Sequence, residues 1–115
     1  MTAQSTLATP APTYGAQLTL IAFIRAKPGL GDELGRRLGT LVEPSRAEAG
    51  NINYDLHRSN DDPDVWVLYE NWKAEADLTL HFEQPYMKAF VAALPEVLEG
   101  EMDLRRCAMV TNIAG

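Results

Sequence analysis

At 115 residues the chain has the size of one domain, and 46% hydrophobic against 23% charged residues supplies enough apolar surface to offset chain entropy. This excludes a disordered body and leaves no material for a second core. The formal net charge is −6, and the ten basic residues are scattered, with only Arg36-Arg37 and Arg105-Arg106 adjacent. No phosphate-tracking stripe exists, so neither nucleic acid nor an anionic membrane is an expected partner.

Cys107 is the only cysteine, which rules out an intrachain disulfide, and His57 and His81 show no metal-ligand spacing with it. The expected metal and cofactor content is none. The stretch from Met1 to Gln17 has neither a basic start nor an apolar core and does not read as a signal peptide. No run approaches membrane-spanning length, so the expected compartment is the cytoplasm.

Residues 1–16, rich in Ala, Thr, Ser and Pro, read as an N-terminal arm, residues 17–111 as the folded domain and residues 112–115 as a C-terminal tail. Leu18 to Ala26 is apolar at nearly every position and stops at Pro28-Gly29, which predicts a strand buried on both faces. Asp32 is placed to cap a helix carrying Leu34, Leu38, Leu41 and Val42 on one side, with Gly35 and Gly39 permitting a close approach. After Pro44 to Gly50, Ile52, Tyr54 and Leu56 alternate with Asn53, Asp55 and His57, which predicts a strand with two unlike faces.

The turn composition of Asn60 to Asp64 leads into Val65 to Trp72, dense in β-branched and aromatic residues, so the two strands form a hairpin. Ala74 to Phe82 reads as a short helix with Leu78, His81 and Phe82 on one side. Pro85 opens another with Met87, Phe90, Val91 and Leu94 inward, ended by Pro95. A last strand is expected over about Met102 to Val110, with Met102, Leu104, Ala108 and Val110 on one face. The order is βαββααβ: an α+β subunit whose helices cover one face of an antiparallel sheet. The other, apolar face calls for a second copy of the chain, hence a homodimer.

Several blocks in this order carry a resemblance: Arg25-Ala26-Lys27-Pro28-Gly29, Glu43 through Gly50, Tyr69-Glu70-Asn71-Trp72, and His81 through Phe90. The chain resembles the antibiotic-biosynthesis monooxygenase domain from about Leu18 to Val110. The resemblance implies a ferredoxin-like subunit pairing through its sheet into a dimeric α+β barrel, with a pocket between sheet and helices. It implies cofactor-independent oxygenation of a small or polycyclic quinol or phenol. The alternatives are an isomerase acting on a small hydroxyketone and a non-catalytic binder of small ligands. Haem-degrading relatives carry an Asn on the first strand and a His on the last helix, where this chain has Ala22-Phe23 and Phe90-Val91. Haem is therefore not expected, although Trp72 matches the widely shared Trp of the third strand.

His81, on the buried stripe of its helix, is the general-base candidate because an imidazole titrates near neutrality and can take a phenol proton. Glu70 shares a strand face with Trp66, Leu68 and Trp72, and is the second catalytic candidate; its structural reading is an ion pair with Arg106 or Arg25. Trp72 and Trp66 suit an aromatic wall for a flat substrate, Tyr54 a hydroxyl near a substrate oxygen, and Leu68, Phe82 and Phe90 an apolar lining. Each is equally ordinary as core. His57 lies on the polar side of its strand, and Cys107 reads as an inert buried thiol.

Overall fold

The computed structural model describes residues 17–111; the arm at residues 1–16 and the tail at 112–115 lie outside the described residues. Strand β1 (Leu18–Arg25) is followed by helices α1 (Gly31–Gly39) and α2 (Val42–Arg46), then by the hairpin of β2 (Asn51–Arg58) and β3 (Val65–Trp72). Helices α3 (Glu75–Phe82) and α4 (Pro85–Ala93), a 3-10 turn (Leu94–Glu96) and β4 (Asp103–Cys107) complete the chain. The sheet runs β2-β3-β1-β4, with every neighbouring pair antiparallel, which is the ferredoxin-like βαββααβ arrangement.

Alternation along the strands decides what the helices cover. Ala22 pairs with Leu68 on one side and Leu104 on the other, and Leu68 pairs with Leu56, so one row of apolar side chains crosses the whole sheet. Leu20, Ala22, Ile24, Leu68 and Trp72 from this face are buried against Leu34, Leu38, Leu78, Met87 and Leu94 from the helical layer. Each such leucine or isoleucine contributes about 1.5–3 kcal/mol by leaving water.

The opposite face carries Ile21, Phe23, Val67 and Tyr69 among Asn53, Asp55, His57, Asp103 and Arg105. In the single chain Phe23 is 36% and Tyr69 39% exposed, so β1 and β3 are apolar on both faces but covered on only one. Arg105 places its guanidinium over the Phe23 ring at 5.0 Å.

Several local expectations are corrected. Asp32 does not cap α1; its side chain pairs at the surface with Arg58 at 2.9 Å. The carboxylate of Asp64 instead accepts the Gly31 N–H at 3.1 Å and the Gly29 N–H at 3.3 Å, anchoring the helix start to the hairpin. Gly29 itself adopts φ 83°, the left-handed backbone that a side chain disfavours. The predicted helix breaks in two, with Leu38 in α1 and Leu41 in the turn that leads to α2.

A bulge between Asn51 and Asn53 rotates Ile52 out of the Tyr54–Leu56 row and leaves it 49% exposed. Val91 is also exposed, whereas Pro95 does end α4 as expected. The last strand is shorter than predicted, Ala108 and Val110 fall beyond it, and Cys107 is exposed rather than buried. No helix among the described residues is long and apolar enough to cross a membrane.

Candidate active site

Between the sheet and the helices lies a narrow, partly open cavity of about 20 Å³. Six of the eight side chains singled out from the sequence line it: Tyr54 from β2, Leu68 and Glu70 from β3, His81 and Phe82 from α3, and Phe90 from α4. They converge because β3 presents its even positions to the helices while α3 returns His81 one turn after Leu78. This volume holds roughly one water molecule, so a ring enters only if flexible or half-buried lining such as Met87, Phe90 or Met102 moves.

Trp72 and Trp66 stand elsewhere. Trp72 is fully buried behind the site: its ring lies 4.7 Å from the His81 ring, and its indole N–H donates to Glu70 Oε1 at 3.0 Å. Trp66 is at the far end of the sheet, where its N–H donates to the Gly31 carbonyl at 2.9 Å and the Arg58 guanidinium covers its ring at 4.7 Å. It packs against Gly35 and does not reach the cavity.

Glu70 makes neither of the ion pairs considered for it. Arg106 pairs with Glu75 and Arg25 with Asp62, both at the surface. Burial pushes the Glu70 carboxyl up to about 7; the Trp72 N–H offsets part of this, and the charge on Glu48 adds to it. The group is therefore poised to hold or release a proton near neutrality.

His81 is 1% exposed and enclosed by aromatic rings, Tyr54 at 5.6 Å and Phe82 at 5.3 Å besides Trp72. Burial pulls its pKa below the ordinary histidine value, while a hydrogen bond with Glu48 pulls the other way. That bond joins His81 Nδ1 to Glu48 Oε2 at 2.8 Å. The Tyr86 hydroxyl donates to the same carboxylate oxygen, and Ser45 Oγ lies 3.2 Å from the Tyr86 oxygen. Burial and the neighbouring Glu48 push the Tyr86 phenol up to about 12, so it keeps its proton and serves as donor.

Glu48, Tyr86 and Ser45 were not singled out as functional from the sequence. Glu48 follows α2 in a polar segment that reads as solvated, and its partner His81 is 33 positions away. The one available signal was that all three fall within the blocks that carry the resemblance. His57 sits exposed on the sheet's far face, outside the site. Among the described residues no group of three or more His, Cys, Asp or Glu side chains is placed to hold a metal ion. The arrangement sets an imidazole and a carboxyl, both with pKa values shifted by burial, on one small apolar cavity.

The chain matches the family model for antibiotic biosynthesis monooxygenase over residues 17–93. It is 36% identical over 89 residues to a Bacillus subtilis protein named "Putative monooxygenase YcnE", covering 77% of this chain and 94% of that one. Among solved structures, PA3566 from Pseudomonas aeruginosa superposes with a TM-score of 0.80 at 34% identity, covering 85% of this chain and 98% of that one. Rv0793 from Mycobacterium tuberculosis also gives a TM-score of 0.80, at 25% identity, over 86% of this chain and 100% of that one. Sequence and fold thus agree over a segment that carries all of the cavity lining except Met102 and Leu104, and this chain belongs to the antibiotic biosynthesis monooxygenase family.

Proposed function

We propose that the chain is a cofactor-independent monooxygenase acting on a quinol or phenol. The observation that carries this reading is His81: a buried, neutral imidazole lining an apolar cavity beside a carboxyl that titrates near 7. His81 accepts the phenolic proton, with Glu70 as the second proton-transfer group, and the electron-rich anion itself reduces O2. For a hydroquinone, one oxygen atom forms a new C–O bond in place of a C–H bond and the other leaves as water. The four electrons taken up by O2 come from the ring, which ends as a hydroxyquinone. The protein's part is desolvation, orientation and proton transfer. We also infer that two copies pair through the Phe23–Tyr69 face of the sheet.

An oxygen electrode run over a panel of hydroquinones and polycyclic phenols tests the reaction. One O2 consumed per substrate is expected, with one labelled atom from 18O2 in the product. His81→Ala should lower turnover on the order of a hundred-fold. Turnover of a hydroxyketone without oxygen uptake, with deuterium entering from solvent, would reassign the same pair to an isomerase. Binding of an aromatic ligand with neither reaction would make the site a ligand pocket.

A further inference from the structure

Glu48 faces two ways. Its Oε2 meets His81 Nδ1 inside the fold, yet the side chain is 14% exposed and lines a surface groove of about 350 Å³ with Asp77, Gln84 and Tyr86. His81 lines the internal cavity on the other side. The Glu48–His81 pair therefore spans the wall between the internal cavity and the surface groove.

The hydrogen-bond directions settle which imidazole nitrogen is free. Tyr86 retains its proton and donates to Glu48 Oε2, so that oxygen is an acceptor, and His81 Nδ1 is the donor. Nε2 is then the nitrogen with the free lone pair. The charged and titratable neighbours of the ring are few: Glu48 from the segment after α2, Glu70 from β3, Tyr54 from β2 and Tyr86 from α4. A proton added at Nε2 would leave an imidazolium in a desolvated cavity, with the Glu48 carboxylate hydrogen-bonded to its other nitrogen.

We propose that Glu48 is the positioning and proton-exit residue of this site. It fixes His81 as the Nδ1–H tautomer, with Nε2 as the base. When Nε2 gains a proton from an O–H group in the cavity, the Nδ1–H bond breaks, an O–H bond forms at Glu48 Oε2, and Glu48 then releases that proton to water in the groove. No electrons are transferred, and the tautomer is restored when Nδ1 regains a proton from groove water by way of Glu48 as the Nε2 proton is handed to the product in the cavity. This assignment rests on the proposed base role of His81 but has readouts of its own.

The test compares the full-length protein with Glu48→Gln, Glu48→Ala and, as a milder change, Tyr86→Phe. Nitrogen-15 NMR of the His81 ring should show the hydrogen on Nδ1 in the wild type and in Glu48→Gln, whose amide oxygen still accepts it. Tautomers should mix in Glu48→Ala. Exchange of the His81 N–H with water should slow at least ten-fold in Glu48→Gln, which cannot carry a proton, and formate added to Glu48→Ala should speed it again. Tyr86→Phe should retain the tautomer, because Glu48 remains. With an active substrate, Glu48→Gln should lower kcat on the order of ten-fold or more with KM changed less than about two-fold. A wild-type imidazole carrying its hydrogen on Nε2, or exchange unaltered in Glu48→Gln, overturns the proposal. If tautomer and exchange behave as expected while no quinol consumes oxygen, the relay stands and the oxygenase reading is the one that fails.

Discussion

Glu70 shows how one residue links burial to pH. Its carboxyl ionises near 4.5 in the unfolded chain and near 7 in the folded protein, so between those values the folded state holds the extra proton. Stability should therefore fall as pH rises from about 4.5 to 7, by up to about 3 kcal/mol, and stay lower above it. Glu70→Gln keeps an acceptor for the Trp72 indole and removes this contribution; in denaturant unfolding the stability at pH 5 relative to pH 8 should drop in the variant compared with the wild type, leaving only the slope of the other groups. His81 acts with the opposite sign, since its folded pKa lies below 6.5 and stability is lost as pH falls through that range. Of this chemistry, the burial of both residues was legible from their positions on apolar faces. The indole partner of Glu70 was not, because residues two apart on one strand face lie side by side, and which partner a carboxyl takes depends on what else packs there.

At the scale of the helix, Gly35 and Gly39 of α1 look alike in sequence and differ in the fold. A Cβ on Gly35 would sit 2.1 Å from the Trp66 ring, whereas one on Gly39 meets nothing within 4 Å. Gly35→Ala should cost about 2 kcal/mol through overpacking against a rigid ring on β3. Gly39→Ala should gain about 0.5–1 kcal/mol from helix propensity. Thermal melts of the two variants check the pair, and equal shifts would remove the close approach of α1 to β3 as a constraint. The glycines signalled close approach in the sequence. Their spacing on the helix alone did not say which one meets Trp66. The hydrophobic periods placed β1 and β3, yet they misplaced the N-terminal cap of α1, since Asp64 lies 33 residues beyond the Gly31 it caps and propensity reads only neighbours.

For the whole molecule, the uncovered sheet face carries the expectation of a dimer. Phe23 and Tyr69 stand in a row with Ile21 and Val67 on a face that no helix among the described residues reaches. Sedimentation should give twice the chain mass at micromolar concentration. Phe23→Glu should yield a monomer that retains the His81–Glu48 bond, because that bond lies on the opposite side of the sheet. A monodisperse wild-type monomer would sink the pairing. By itself the sequence determined the order of the strands, the Tyr54–Leu56 and Leu68–Glu70–Trp72 rows that enter the core and the burial of His81 and Glu70, because apolar periodicity is a local property. Only tertiary structure decided that Trp66 stays away from the cavity, that Cys107 is exposed, and that Glu48 reaches His81. Each of these depends on where distant segments meet, and that is set by sheet register and helix packing, which no local pattern encodes.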